Sequence, residues 1–205
     1  MSLTFYYTPQ SNADRIHGSL AALGVPYEEV RVDLRAGDQK KPEFLALNPN
    51  GKVPTIVLDG TPMFESVAIQ IALGERYGVE KGLWPALGSG EHLTAITWLV
   101  WGQVTLAAAL FRHMHNTSDW VPKEQHNAAQ AAAALVESKE LLAILDKHLA
   151  GRDFLTGERC TLADLDLVSV LGWGLMMVKI DPAPYTNLVG WLARTGKLLP
   201  QHSAS

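Results

Sequence analysis

Cysteine is nearly absent from this 205-residue sequence, in which Cys160 is the single example. One thiol cannot close an internal disulfide, so the chain fits a reducing compartment better than a secreted, disulfide-rich class. No zinc site is predicted, because no cysteine and histidine residues cluster with the spacing of zinc ligands. His113 and His115 stand two residues apart on a predicted helix. Their side chains therefore point in different directions.

Positive charge is also scarce. Lysine and arginine total 17 against 21 aspartates and glutamates, which gives a net charge of −4 without a basic tract. The electrostatic footprint of a nucleic-acid-binding protein is therefore missing. The apolar run of residues 167–178 is too short to span a bilayer, and the first residues enter strand-like sequence without a signal peptide. These features predict a cytoplasmic globular protein that binds neither nucleic acid nor membrane.

The densest local pattern is a turn followed by a hairpin. Asn-Pro-Asn-Gly at residues 48–51 is typical of a turn. Val53 and Pro54 then lead into a strand that reverses at Asp59 and Gly60, a strong hairpin signal. If the bond between Val53 and Pro54 is cis, the main-chain groups of Val53 point outward. They are then able to pair with an extended peptide.

A helix start follows this hairpin, and it carries an acid and a hydroxyl. Ser66 stands at the expected N-cap, and Glu65 directly precedes it. Free N–H groups at a helix start attract a carboxylate, whereas the side chain of Glu65 attracts an ammonium group. Beside Val53, this combination predicts a site for the zwitterionic head of an amino acid next to a slot for a short peptide. On spacing alone, an ordinary hairpin and a capped helix is the alternative.

Residues 48–69 resemble the glutathione-binding half of the cytosolic glutathione S-transferases. The resemblance rests on the sequence Asn-Pro-x-Gly-x-Val-Pro, the hairpin that follows it, and the sequence Glu-Ser-x-Ala-Ile. The resemblance implies that Val53, before a cis Pro54, pairs with the cysteinyl main chain of glutathione. It also implies that Glu65 and Ser66 hold the γ-glutamyl head. The expected protein is a transferase that ionises the thiol of its co-substrate glutathione and conjugates it to a small hydrophobic electrophile, as in detoxification. The family resemblance further implies a homodimer.

The predicted elements agree with that family. Residues 1–77 have the order β-α-β-α-β-β-α, which is that of a thioredoxin-like α/β domain, and a glycine-rich linker at 78–90 follows. Residues 91–205 are predicted to form an all-α domain that lines the electrophile pocket. Four segments there carry apolar residues at helical spacing: 91–115, 125–150, 161–178 and 185–198. Thr161 and Asp164 form an acidic capping box that resembles the structural signature of the family's helical domain.

A bound thiol needs a hydrogen-bond donor more than a base. A free thiol with a pKa near 8.5 is mostly protonated at pH 7, and lowering that pKa by two units takes about 2.7 kcal/mol. One hydroxyl that donates to a charged acceptor supplies about 1.5–3 kcal/mol, and a helix N-terminus adds about 0.3–1 kcal/mol. Ser11, at the start of the first predicted helix, is in the place that this donor requires.

Three residues compete for that role. Ser11 lies two residues past Pro9 and resembles the catalytic serine of the serine-type transferases. Tyr7 occupies the position used by the tyrosine-type families, although a strand tyrosine packed in the core is the favoured interpretation. Asn12 falls where bacterial cysteine-type enzymes place their cysteine, and it can offer only an amide donor or leave the role to the loop amides. The alternative for Ser11 is plain helix capping.

Other glutathione contacts rest on the resemblance. Residues 37–44 resemble a plant-type segment, Gly-Glu-His-Lys-x-Pro-Glu-Phe, whose histidine and lysine hold the glycyl carboxylate. Gln39 replaces the histidine, and Lys40 is kept. Lys52 stands at a second contact position. For both lysines the alternative is a solvated surface charge.

An ion pair between Arg15 and Glu65 would help to ionise the thiol, as in the serine-type families. Val67 departs from the Glu-Ser-Arg sequence that many of them carry. This departure slightly favours the alternative of a non-catalytic glutathione-binding module. Two acidic residues of the third helical segment are given structural interpretations, Asp164 as a cap and Asp166 as a helix charge.

The second substrate would meet the thiolate in the cleft between the domains. Apolar and polarizable residues are candidates for its walls, with simple core packing as the alternative for each: Tyr7, Trp101, Phe111, Met114, Trp120, Trp173, Met176 and Met177. The sequence does not name the electrophile. Glutathione-dependent isomerase, dehalogenase, ether-cleaving and peroxidase activities on the same fold are therefore alternatives.

Overall fold

The computed structural model describes residues 2–199, and a four-stranded sheet forms its first half. The strands are β1 (Leu3–Tyr7), β2 (Glu28–Arg31), β3 (Thr55–Leu58) and β4 (Thr61–Phe64). They lie in the order β2-β1-β3-β4, with β2 parallel to β1 and the two other pairs antiparallel. This mixed sheet confirms the thioredoxin-like fold. The second strand has only four residues, and soon after it Asp33 accepts hydrogen bonds within the following turn.

The first half also contains three helices. They are α1 (Ala13–Leu23), α2 (Pro42–Leu45) and α3 (Ser66–Leu73). The hairpin between β3 and β4 turns at Asp59 and Gly60, whose φ values of 48° and 82° are both positive. That combination is required by a type I′ turn, so the hairpin prediction is confirmed.

The second half, as far as residue 199, contains helices and no strand. Its helices are α4 (Gly90–Trp101), α5 (Ala108–His115), α6 (Ala128–Leu149), α7 (Leu162–Val178) and α8 (Thr186–Gly196). Helix α7 lies at the centre, and it packs against α1, α4, α5 and α8. Near its start, Asp164 accepts hydrogen bonds from the Thr161 N–H and hydroxyl, both at 2.8 Å. The predicted capping box is therefore confirmed.

A longer apolar helix than the 167–178 run is present. Helices α4 and α5 are continuous through a π-helical segment, Gly102–Ala107. Together they form a helix of 26 residues, in which one 18-residue window has a mean hydropathy of 1.5 and is 39% buried. By length and composition alone, this helix could cross a membrane. Leu99 and Leu106 are fully buried inside the helical half. This is also what a core helix of a globular protein looks like.

Close packing against Trp84 accompanies an irregular end of α3. Helix α3 ends at Leu73 and continues as a π-helical segment, Gly74–Gly78. A Cβ at Gly74 would lie 2.4 Å from the indole of Trp84, so the chain approaches that ring too closely for any other residue. The domain limits at residues 77 and 91 stay predictions.

Candidate functional site

A cavity of about 840 Å³ lies between the sheet half and the helical half. It brings together predicted site residues that are far apart in the sequence: Ser11, Asn12, Gln39, Lys52, Val53, Phe111, Trp120 and Trp173. Polar residues come mainly from the sheet half, and apolar ones from α5, α7 and the segment between α5 and α6. Such a cleft can hold a polar ligand against one wall and an apolar one against the other.

Ser11 borders this cavity immediately before α1. Its hydroxyl donates to the Thr8 carbonyl at 2.6 Å and accepts from the Ala13 N–H at 3.1 Å. In this structure the Ser11 hydroxyl therefore acts as a cap at the start of α1, which is the alternative to a catalytic role. A hydrogen bond to an anionic sulfur is stronger than one to a neutral carbonyl. A bound thiolate could thus draw the Ser11 proton away from Thr8. The exposed Asn12 side chain has no hydrogen-bond partner within residues 2–199.

The peptide slot forms around Val53, whose bond to Pro54 is cis, as the sequence predicts. Neither the N–H nor the carbonyl of Val53 makes a hydrogen bond with any other described residue. The side chain of Asn48 stabilises the preceding turn. It donates to the Lys52 carbonyl at 2.8 Å and to the Thr55 hydroxyl at 3.0 Å. Sequence reasoning placed Asn48 in a turn but missed this organising role.

Glu65 and Ser66 differ from the prediction by one position. Helix α3 begins at Ser66, and Glu65 occupies the N-cap, without a side-chain capping bond. Glu65 has a φ of 68°, a left-handed conformation that costs a non-glycine residue about 1–3 kcal/mol. Neither the Glu65 carboxylate nor the Ser66 hydroxyl has a polar partner in the part of the chain described. An acid and a hydroxyl thus stand next to each other at the start of α3, but neither residue is part of the cavity lining.

The polar residues predicted to hold the glycyl carboxylate differ in their surroundings. Lys52 lines the cavity, whereas Lys40 is exposed and does not. The Gln39 side chain donates to the Leu34 carbonyl at 3.2 Å, and its own amide oxygen is buried without a partner among the described residues. A buried acceptor suits an N–H of a ligand better than a carboxylate. Of these residues, Lys52 is the better partner for a carboxylate.

The predicted ion pair between Arg15 and Glu65 is not formed. Arg15 instead makes a bidentate pair with Asp166, with Nε at 2.9 Å from Oδ1 and the second contact between Nη2 and Oδ2. Both residues are buried, at 4% and 1% exposure. Gln70 donates to the same Asp166 carboxylate at 3.0 Å. The helix charge predicted at Asp166 is in fact the buried link between α1 and α7.

Four predicted wall residues are not part of the cavity lining: Tyr7, Trp101, Met114 and Met177. Tyr7 stacks on Phe5 and His17, with ring centroids 5.5 Å and 6.1 Å away, and is not part of the cavity lining. Burial and the nearby Glu29 carboxylate raise the pKa of its phenol, so Tyr7 is a poor thiol activator. Met114 is fully buried in the core instead of facing the cavity.

The apolar wall is built from three rings. Trp173 on α7 lies 5.2 Å from Phe111 and 5.9 Å from Trp120, the latter ring nearly parallel to it. Trp120 is 62% exposed at the cavity mouth. Exposed, stacked aromatic rings of this kind offer a surface for a flat apolar ligand.

No group of three or more potential metal ligands occurs among residues 2–199. Cys160 is partly buried and is not part of the cavity lining. Burial, assisted by the Asp164 charge, raises the pKa of its thiol to about 12. Any thiol chemistry in the cavity must therefore use a sulfur atom from a ligand.

Cys160 is expected to resist alkylation in the folded protein. With a pKa of about 12, only about one thiol in ten thousand is ionised at pH 8, and the rate should rise about tenfold per pH unit. Mass spectrometry after iodoacetamide treatment should show an unmodified native chain and complete labelling in concentrated urea. Leu87→Cys, at an 80% exposed position, is the control and should gain one label in the native state. Rapid native labelling of Cys160 would contradict the expectation.

Comparisons with known proteins agree with this geometry. The family model described as Glutathione S-transferase, N-terminal domain matches residues 1–71, and that for the C-terminal domain matches residues 108–195. The disulfide-bond oxidoreductase YfcG of Escherichia coli (strain K12) is 30% identical over 201 residues, 94% of this chain and 89% of that protein. Glutathione S-transferase 2 of Schizosaccharomyces pombe is 30% identical over 73% of this chain and 65% of its own length.

A solved structure shares the fold over nearly the whole chain. It is a glutathione transferase family member from Pseudomonas fluorescens Pf-5 with two glutathione molecules bound. The TM-score is 0.80 at 27% identity, and the match covers 97% of this chain and 93% of that one.

Proposed function

Because this chain belongs to the cytosolic glutathione S-transferase family, we propose that it is an enzyme that ionises the thiol of glutathione and transfers the sulfur to an electrophilic small molecule. The observation that carries the proposal is the shared cavity. It joins Ser11 and the unpaired main chain of Val53 to the apolar wall of Phe111, Trp120 and Trp173. Proximity and positioning of the two substrates then supply much of the rate.

Glutathione would lie along the sheet half. Its cysteinyl main chain would pair with Val53, its γ-glutamyl head with Glu65 and Ser66, and its glycyl carboxylate with Lys52. The absence of competing partners for these groups in residues 2–199 supports this placement. The sulfur would then face Ser11, whose hydroxyl turns from the Thr8 carbonyl to the developing thiolate. A homodimer, typical of the family, is the proposed assembly.

Disulfide reduction is the second candidate. A relative named disulfide-bond oxidoreductase and a neighbour with two bound glutathione molecules favour it. Cys160 does not line the cavity. The attacking thiolates of such a reaction would therefore both come from glutathione. One glutathione thiolate would attack a disulfide, forming a mixed disulfide and expelling a thiolate that takes a proton from water. A second glutathione thiolate would then attack the glutathione sulfur of the mixed disulfide, forming oxidised glutathione and expelling the other thiolate, which also takes a proton from water. Product analysis separates the candidates, since transfer yields a thioether and reduction yields oxidised glutathione.

Ser11→Ala is expected to lower kcat/KM for a chlorinated nitroarene about 10- to 100-fold. The reason is that a hydroxyl donating to a charged acceptor contributes about 1.5–3 kcal/mol. The pH dependence of kcat/KM should shift to higher pH, because the thiol loses a donor that stabilises its ionised form. Steady-state rates across pH, with the uncatalysed reaction subtracted, provide the measurement.

Ser169→Ala is the matched control. Ser169 lines the same cavity, but its hydroxyl donates to the Leu165 carbonyl of its own helix at 2.8 Å, so the rate should stay within about threefold of wild type. A rate unchanged within a few-fold in Ser11→Ala would remove Ser11 from the mechanism and leave Asn12 or the loop amides as the donor. Binding to immobilised glutathione without turnover would instead identify a non-catalytic binding module.

A further inference from the structure

The π-helical segment Gly102–Ala107 interrupts the long α4–α5 helix where that helix borders the cavity. Single π turns inside helices often occur at functional sites, because they shift side chains out of the regular register. A Cβ at Gly102 would lie 2.8 Å from Leu167, so the segment presses closely against α7. The next residue, Gln103, is half-buried and lines the cavity.

The amide group of Gln103 is held in one orientation. Its oxygen, Oε1, accepts from Nη1 of Arg15. A guanidinium group has donors and no acceptor, so a flipped amide would place two donors face to face. Arg15 is itself fixed by its bidentate pair with the buried Asp166. The Gln103 oxygen is therefore committed, and its NH₂ group is left without a partner among the described residues.

From this geometry we propose that Gln103 is a specificity-determining residue, whose side-chain NH₂ group donates a hydrogen bond to a carbonyl oxygen of the electrophile. The proposal rests on the transfer function proposed above, and it names the preferred substrates as α,β-unsaturated ketones and aldehydes. The aromatic wall of Phe111, Trp120 and Trp173 suits the flat, conjugated body of such a molecule. Gln103 supplies the polar contact that those rings lack.

The chemical step balances without another reactant. The thiolate of glutathione, whose proton has left to solvent, forms a carbon–sulfur bond at the β-carbon of the enone. The π electrons of the carbon–carbon double bond move toward the carbonyl, and negative charge develops on its oxygen. The Gln103 N–H stabilises that charge, which is larger in the transition state than in the ground state. Water then returns a proton to the α-carbon, and no group leaves.

The test compares two electrophiles that share the thiolate. One is the enone trans-4-phenyl-3-buten-2-one, and the other is benzyl chloride, which has an aromatic ring and no oxygen. Gln103→Met removes both polar atoms, and Gln103→Glu keeps an acceptor for Arg15 while removing the donor. In both variants the ratio of kcat/KM for the enone to that for benzyl chloride should fall about 10- to 100-fold. The ratio cancels any change in thiol ionisation, since both reactions need it.

Val104→Ala is the control, because this neighbouring side chain is 66% exposed and does not line the cavity. Its ratio should match that of wild type within about twofold. A ratio unchanged in both Gln103 variants would overturn the proposal, as would an equal loss for both electrophiles. Circular dichroism and thermal melting identify variants that fail to fold.

A binding measurement separates this proposal from the transfer function. Calorimetry would compare the ketone-bearing glutathione adduct of the enone with S-benzylglutathione, on wild type and on Gln103→Met. A selective loss of about two- to tenfold for the ketone adduct supports recognition by Gln103, because a hydrogen bond to a neutral carbonyl is weaker than one to the developing oxyanion. If wild type turns over neither electrophile but Gln103→Met still loses affinity selectively for the ketone adduct, the transfer function fails and the role of Gln103 stands. If the selective loss is missing, the role of Gln103 fails, whatever the turnover.

Discussion

Asp166→Ala is expected to destabilise the folded protein by about 3–5 kcal/mol, the cost of leaving one partner of a buried ion pair unpaired. Asp166 holds the guanidinium of Arg15 in bidentate contact and also accepts from Gln70. Removing the carboxylate leaves the Arg15 charge buried between α1 and α7, where water cannot easily solvate it. Urea denaturation, with the m-value checked for constancy, provides the measurement.

Two further variants define the cause. Arg15→Met combined with Asp166→Leu removes both charges. It should be more stable than Asp166→Ala, because no unpaired charge stays buried. The loss of the hydrogen bonds to Gln70 and Gln103 keeps it below wild type. Arg112→Ala breaks a pair with Glu137 in which both side chains are nearly half exposed. It should cost at most about 1 kcal/mol. An Asp166→Ala protein within 1 kcal/mol of wild type would show that the pair does not carry the expected energy.

Asp164→Ala is expected to cost about 4 kcal/mol or more, since it removes the acceptor of four buried hydrogen bonds, each worth about 1 kcal/mol or more. The carboxylate accepts twice from Thr161, at 2.8 Å, and once each from the Leu155 N–H at 2.8 Å and the Trp191 indole at 2.9 Å. Burial raises the pKa of Asp164, and the hydrogen bonds act in the opposite direction. Without this group, three buried residues would have unsatisfied donors.

Chemical denaturation followed by tryptophan fluorescence suits this test, because the Trp191 indole reports on its bond to Asp164. Asp164→Asn should be intermediate, since an amide oxygen can replace some of the lost acceptors while its NH₂ group faces donors. Asp181→Ala is the exposed control. There the carboxylate accepts from the Ala183 N–H, at 3.0 Å, and from no other residue between 2 and 199. The expected cost is about 1 kcal/mol or less. A loss below about 2 kcal/mol in Asp164→Ala would contradict the assignment.

Some features of the molecule follow from a few adjacent residues. The type I′ hairpin depends on Asp59 and Gly60, whose sequence tolerates positive φ at both positions. The capping box depends on Thr161 and Asp164, three residues apart. The place of Ser11 at the start of a helix also follows from local sequence. In each case the stabilising contact lies within one turn of the chain, so a single sequence is enough to predict it.

Other predictions failed because the deciding contact lies far away in the sequence. Arg15 was expected to pair with Glu65, yet its partner is Asp166, 151 residues away. Met114 was a candidate for the pocket wall, but it is fully buried in the core instead. Neither outcome can be derived from helix spacing or strand alternation. Those patterns show which face of an element is apolar and not which other element covers it.

The sequence by itself determined the thioredoxin-like order of strands and helices, the turn before Val53 and the resemblance to the glutathione S-transferases. Only the tertiary structure decided how α1 docks on α7, and with it the buried pair of Arg15 and Asp166 and the orientation of the Gln103 amide. The reason is physical. Turns and caps are stabilised by groups within one turn of the chain, whereas a buried charge takes whichever partner the packing of two distant helices brings within reach.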